Sequence, residues 1–401
     1  MSAVALGVGR GSPMVSNSAD WLLRDEFISD LAAGSVNGTA AEPGPGTRTV
    51  TDTYTKLQIS AGYLDFISST AVNDDPQYQL VPASSIVRAA GRLVLFDVVA
   101  TSNNFWVMVG GERYWFFDAL RINSPSGVNL GANLTAIYGI MARAEGSFFV
   151  TKASGSQWVL RWITYISTTT PLVPLIGQYS STSNVGFVRV PAALWLPTPV
   201  ASDGFGSAFG TTDGLGHAEG IAGGLGSGGN GKTWSNVGGT WSVSGGKAIN
   251  TTPSGLSQQM SVAQMSTADV FASAALTRAD GAVGLALSMD SSSNPANGVL
   301  VYLDGTNCKI DKIVGGSTSN VRTTAVTYSA GARLVVRKTG TEYRVYYNDA
   351  LVGAANTISD AGIANNTLHG LFSTNASNTL DDFVCYATGT GGEYAELDKW
   401  S

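Results

Sequence analysis

The chain has 401 residues, of which 44% are hydrophobic, so it can bury a core in each of two or three domains and is not disordered by composition. Only 13% of residues are charged and 49 are glycine, a balance that favours many short strands joined by tight turns over long helices. A net charge of -6 and a pI near 5.0, with 23 scattered basic residues, exclude the clustered lysines and arginines of a nucleic-acid surface.

In chain order, residues 1–20 read as an arm of small and polar residues. Its apolar stretch (MSAVALGVGRGSPM) has no basic residue ahead of it, unlike a secretory signal. No run approaches the roughly 18 apolar residues of a membrane helix, so membrane insertion is not expected. Residues 21–197 carry alternating runs separated by Gly, Asn, Asp and Ser: Leu57 to Phe66, Arg92 to Val99, Phe105 to Val109 and Trp158 to Tyr165. In the last of these, Trp158, Leu160 and Trp162 fall on one face, because side chains alternate along a strand. Leu134 to Arg143 also fits a short helix. The proline-rich Pro191 to Pro199 reads as a strand end running into a linker.

The pattern then restarts. Asp25-Glu26-Phe27 in the first half is matched by Asp203-Gly204-Phe205, each followed by a glycine-rich loop and a strand ending at a glycine turn, which predicts a diverged tandem repeat. In residues 198–388 the runs Phe271 to Leu276, Val283 to Met289 and Val299 to Leu303 precede a meander. Its strands are Arg333 to Lys338, Glu342 to Tyr347 and Ala350 to Val352, with turns at Thr339-Gly340 and Asn348-Asp349. Asp381 to Tyr386 is the closing strand, and residues 389–401 read as a solvated polar tail. Cys308 and Cys385 read as two separate thiols, a single bridge being the alternative.

Three features of the second half resemble the concanavalin A-like lectin/glucanase (laminin G-like) jelly rolls: the opening Asp203 to Phe205, the meander LVVRKTGTEYRVYYNDALVG, and LHGLFSTNASNTLDDFVCY with its Asp pair before the last strand. The first half, RDEFISDLAAGSVNGTAAEPGPGTRTVTDTYTKLQISAG, resembles modules that precede such domains in phage tail and virion proteins. The resemblance implies an all-β chain of two tandem antiparallel β-sandwich domains with short terminal arms. Because the superfamily spans glycosidases, lectins and inert modules, it speaks to fold more than to function.

Chemistry is sparse. Gly226 to Thr233 (GSGGNGKT) satisfies the phosphate-loop expression but lacks the preceding strand and following helix that cradle phosphate, and reads as a coincidence in a glycine loop. A glycosidase needs two carboxylates flanking the sugar bond. The sole Glu-x-Asp, Glu396-Leu397-Asp398, lies in the tail without a third acid. His217 and His369 are the two histidines, and both read as ordinary loop or strand-edge residues.

If the first and last strands of the second domain pair, Asp203, Asp381 and Asp382 offer oxygen ligands for calcium; capping of turns is the commoner role for such residues. Trp234, Trp106 and Trp115 are candidates to stack on a sugar, although large aromatics mostly fill cores. The expected role is a non-enzymatic virion structural or adhesion protein of a phage particle, released on lysis. Its expected partners are other virion proteins and further copies of itself, a trimer being one option. The alternatives are a carbohydrate-binding module for host surface glycans and, behind it, a glycoside hydrolase or lyase.

Overall fold

The computed structural model describes residues 21–53, 55–67, 77–88, 91–100, 105–118, 121–125, 136–143, 146–153, 155–164, 170–178, 183–195, 197, 200–203, 232–253, 259–390 and 393–399. The chain is all-β. Its first half comprises β1 (Trp21–Asp25), β2 (Thr47–Thr51), β3 (Leu57–Ser60), β4 (Tyr63–Phe66), β5 (Gln77–Val81), β6 (Arg92–Ala100) and β7 (Phe105–Val109). These continue into β8 (Glu112–Asp118), β9 (Arg121–Asn123), β10 (Ala136–Arg143), β11 (Gly146–Ala153), β12 (Val159–Thr164), β13 (Pro174–Gln178) and β14 (Ser183–Pro191).

The second half comprises β15 (Ala201–Asp203), β16 (Ser235–Asn236), β17 (Trp241–Ser244), β18 (Lys247–Asn250), β19 (Met260–Gln264), β20 (Val270–Thr277), β21 (Ala282–Met289) and β22 (Gly298–Asp304). It ends with β23 (Asn307–Val314), β24 (Ser317–Ala325), β25 (Arg333–Thr339), β26 (Glu342–Tyr347), β27 (Ala350–Leu351), β28 (Asn356–Thr357), β29 (Leu368–Ser373) and β30 (Thr379–Ala387).

Sheet order shows the repeat. In the first half one sheet runs β3-β4-β14-β6-β10-β11-β12, with β1 added on β14, and the other runs β2-β5-β13-β7-β8-β9. In the second half the orders are β17-β18-β30-β20-β25-β26-β27, with β15 added on β30, and β16-β19-β29-β21-β22-β23, extended by β24. Apart from β24, and β28 paired with β26, these are strand for strand one topology, used twice. First and last strands pair in each copy, and the chain crosses between sheets as a jelly roll does.

Local sequence explains the pairings. Asn348 and Asp349 both adopt positive φ (49° and 58°), as a tight hairpin between β26 and β27 requires. Leu134 to Arg143, which fits a helix by period alone, holds strand β10, because β6 and β11 take its backbone hydrogen bonds on both sides. Alternation then fills the cores. Phe105, Val107 and Val109 point into the first sandwich, while Val283, Leu285 and Leu287 point into the second. Cys308 and Cys385 are buried free thiols.

The first core does not stop at its own sandwich. Trp162 from β12 packs edge-on against Tyr346 (ring centroids 4.5 Å apart) and Phe271 (6.1 Å), and Phe148 packs against Tyr386. Residues after β30, expected as a solvated tail, fold back over this seam in a turn of 3-10 helix, Ala395–Lys399. Tyr394 and Leu397 are buried. Glu396 accepts the Trp195 indole N–H at 2.7 Å, and Asp398 accepts the Trp158 indole N–H at 2.9 Å and Lys152 Nζ at 2.6 Å. The Glu-x-Asp pair is therefore a clasp between the halves. Leu397→Ala is expected to cost about 2–4 kcal/mol through the cavity it leaves, read as a lower denaturant midpoint and faster proteolysis after Thr388.

Candidate ligand-binding groove

From Ala282 to Leu287 on β21, and along β22, the odd-numbered apolar residues face the core and the even-numbered ones form the outer face; a register shift after Ala286 then turns Met289 outward. On that side Met260, Val262, Ala282, Ala286, Leu300 and Phe372, all buried, form a second apolar cluster separate from the main core. Across it runs a groove of about 400 Å³, with Leu300, Tyr302, Asp304, Lys309, Asp311 and Phe372 among its lining residues.

Beside the groove, Gly284 allows β21 and β22 to approach closely. It lies between Phe372 on β29 and Tyr302 on β22, and a Cβ there would meet the Val301 carbonyl oxygen at 2.1 Å. The two rings close over it with centroids 5.4 Å apart, tilted by 55°. Tyr302 is part-exposed, and its hydroxyl donates to Asp311 Oδ2 at 2.6 Å. Asn320 Nδ2 donates to Asp311 Oδ1 at 2.7 Å, and Lys309 Nζ to Asp304 Oδ2 at 2.6 Å. Burial, reinforced by the hydrogen bond to the Asp311 carboxylate, raises the Tyr302 phenol pKa, so it stays protonated and remains a donor. Aromatic edges, two carboxylates, an ammonium and the hydroxyls of Thr318 and Thr374 thus converge on one concave surface.

The aromatics singled out in the sequence lie elsewhere. Trp106 sits on the outer face of the first half's second sheet but is fully buried. Its ring lies where a Cβ on Gly177 would be, 2.1 Å away, with the Arg113 guanidinium 4.2 Å from its centroid. Trp115 pairs with Trp106 through the backbone, while its side chain lies outside the described residues. Trp234 is 7% exposed and packs edge-on against Phe383 in the second core, so it is a core residue and not a sugar platform.

The expected calcium ligands are brought near one another only in part. β15 pairs with β30 and sets Asp203 beside Phe383, but the Asp203 side chain lies outside the described residues. Asp381 Oδ1 accepts the Asp382 N–H, and Asp382, at φ 48°, turns its carboxylate to within 3.6 Å of Arg333. Among the described residues no three His, Cys, Asp or Glu side chains gather as a metal set. His217 and Gly226 to Gly231 also lie outside them. His369 is fully buried. Its Nδ1 accepts the Ser288 N–H at 3.2 Å, leaving Nε2 to donate to the Thr267 carbonyl at 3.2 Å. Among the described residues no helix is long and apolar enough to cross a membrane.

No family model and no curated protein matches the chain. Several solved structures are similar to it. The carbohydrate-binding module CBM66 from Bacillus subtilis is 20% identical, over 38% of this chain and 95% of that one, with a TM-score of 0.32. The GH43 protein BlXynB from Bacillus licheniformis is 11% identical over 85% of each chain, with a TM-score of 0.32. The CBM2 module of the evolved Dit protein of Lactobacillus casei BL23 phage J-1 is 13% identical, over 40% and 91%, with a TM-score of 0.27. The sandwich assignment rests on the sheet order, and any reading of the groove rests on its own side chains.

Proposed function

We propose that the groove over Tyr302 binds carbohydrate, and that the chain is a glycan-binding protein that holds its ligand without cleaving it. The part-exposed Tyr302 ring, set beside Phe372 with its hydroxyl fixed by Asp311, carries this reading. A sugar presents C–H faces ringed by hydroxyls. An aromatic surface takes the former, and carboxylates, an ammonium and hydroxyls take the latter.

Cleavage would need carboxylates free to give and take protons. Lys309 holds Asp304, while Tyr302 and Asn320 hold Asp311, which supports binding over turnover. A place in a phage particle fits the same groove, since attachment to a host surface is often glycan recognition. Homo-oligomerisation would then turn weak single sites into avidity.

Calorimetric titration with a panel of neutral and acidic oligosaccharides is the test. Tyr302→Ala is expected to weaken binding roughly tenfold or more, about 1.4 kcal/mol, without loss of fold. A wild-type chain that binds nothing on the panel removes the reading, and release of reducing ends from a bound oligosaccharide removes its non-enzymatic part.

A further inference from the structure

We infer that the seam between the two sandwiches contains an oxyanion site, built by Arg337 with Arg161 and Arg344. It lies on the opposite sheet from the Tyr302 groove and does not depend on that groove's function.

The antiparallel register of β25 and β26 sets Arg337 directly across from Arg344, and Val335 across from Tyr346. Val335 and Tyr346 belong to the core cluster that the first half extends over this sheet, so Arg337 and Arg344 alternate onto the face that receives Trp162. On the other side of Arg337, β20 presents Phe271, which also packs on Trp162. Arg161, next to Trp162 on β12, acts electrostatically on Arg337 from the first half. Arg337 and Arg344 thus stand side by side on a face lined by aromatic rings, and Arg161 adjoins Trp162, whose ring packs on Tyr346 of that face.

Their compensation is incomplete. Glu342 is the carboxylate that acts on Arg161, Arg337 and Arg344, yet it uses both oxygens on Arg344, at 2.7 and 3.3 Å. Arg161 donates its Nε to Thr151 Oγ1 at 2.9 Å. Arg337 is 5% exposed, and its Nε is sealed from solvent with no acceptor. The Trp162 indole N–H in the same seam is likewise buried without one.

Like charges directly opposed on neighbouring strands destabilise a sheet, and a desolvated guanidinium without a partner is costlier still. Burial, then the nearby Arg161, push the Arg337 pKa down to about 10, which still leaves it charged at neutral pH. A sulfate, phosphate or carboxylate group would supply the missing acceptors, and its planar or tetrahedral oxygens suit the guanidinium fork. Glu342 and Arg344, with side chains 39% and 22% exposed, form the solvent-facing edge of this cluster along β26.

The test is the melting temperature of the full chain titrated with sodium sulfate, sodium phosphate or sodium glucuronate, each against sodium chloride at equal ionic strength. A saturable rise above the chloride control with at least one of them is expected. Comparison of glucuronate with the inorganic ions separates an acidic sugar from a free anion. Arg337→Met should abolish the rise and, without oxyanion, melt at or above the wild type, because an unpaired buried charge is gone. Should that variant fail to fold, Arg161→Gln should weaken the apparent affinity by roughly threefold or more. No rise above chloride, or an undiminished rise in the variants, overturns the site.

Discussion

Asp25→Ala is expected to cost the first sandwich about 3–5 kcal/mol, because it strips the partner from a buried charge. Asp25 and Arg48 are 0% and 1% exposed and form a two-pronged pair, Nε to Oδ2 at 2.7 Å and Nη2 to Oδ1 at 2.8 Å. The Tyr78 hydroxyl donates to Oδ2 at 2.6 Å, and the Phe27 and Glu42 amides reach Oδ1. Asp25 ends β1 in one sheet, whereas Arg48 and Tyr78 sit on β2 and β5 in the other, so the network rivets the two layers. Without the carboxylate, the phenol and the Nε and Nη2 of the guanidinium lose their acceptor where water cannot replace it, leaving Nη1 on Thr39 and the Glu42 carboxylate 3.9 Å from Nη2. Urea denaturation followed by tryptophan fluorescence reads the loss, and a change below about 1 kcal/mol would show that the network contributes little. Asp25→Leu combined with Arg48→Met should recover much of it, since the cost lies in the orphaned charge and not in the shape.

That network also marks how far sequence reasoning reaches. The D-x-F openings at Asp25 and Asp203 do signal a repeated sandwich, and the matching strand orders show one. The role of Asp25 is set by Arg48 and Tyr78, which lie 23 and 53 residues away, and no local spacing encodes such a partnership. The clasp is hidden for the same reason: Glu396 and Asp398 meet Trp195 and Trp158 from 201 and 240 residues away. Trp234 looks like a loop aromatic because glycines precede it, and Phe383 makes it a core residue. The groove lies between these cases. Alternation along Leu300-Tyr302-Asp304 and Lys309-Asp311-Ile313 is readable in the sequence, but which parity faces outward follows only from the order of the sheet.

His369 gives the second sandwich a pH dependence of similar size. Burial, the dominant cause, pushes its pKa down from 6.5 to about 3, and no acidic group contacts the imidazole among the described residues. Lys338, with Asp269 beside it, adds a smaller opposing pair of charges. The folded chain therefore keeps the ring neutral, while the unfolded chain takes up a proton below about pH 6.5. Stability from this residue is fully present above that pH, falls as pH drops towards 3, and changes no further below it. At 1.36 kcal/mol per pKa unit, the whole window is worth about 4–5 kcal/mol, of which about 2 kcal/mol is lost between pH 7 and pH 5. Glu26 and Glu342, whose pKa values are lowered from 4.5, add to the loss only at more acidic pH, whereas burial raises Asp65 and Asp349 above 3.8 and opposes it, so the difference from a His369 variant isolates the histidine. Denaturant midpoints at pH 7, 6 and 5 for the wild type and His369→Gln make the comparison. The variant starts from lower stability, because it disturbs the bonds to Ser288 and Thr267, but its midpoint should stay nearly flat where the wild type slopes. Parallel slopes in the two proteins would place the acid sensitivity elsewhere.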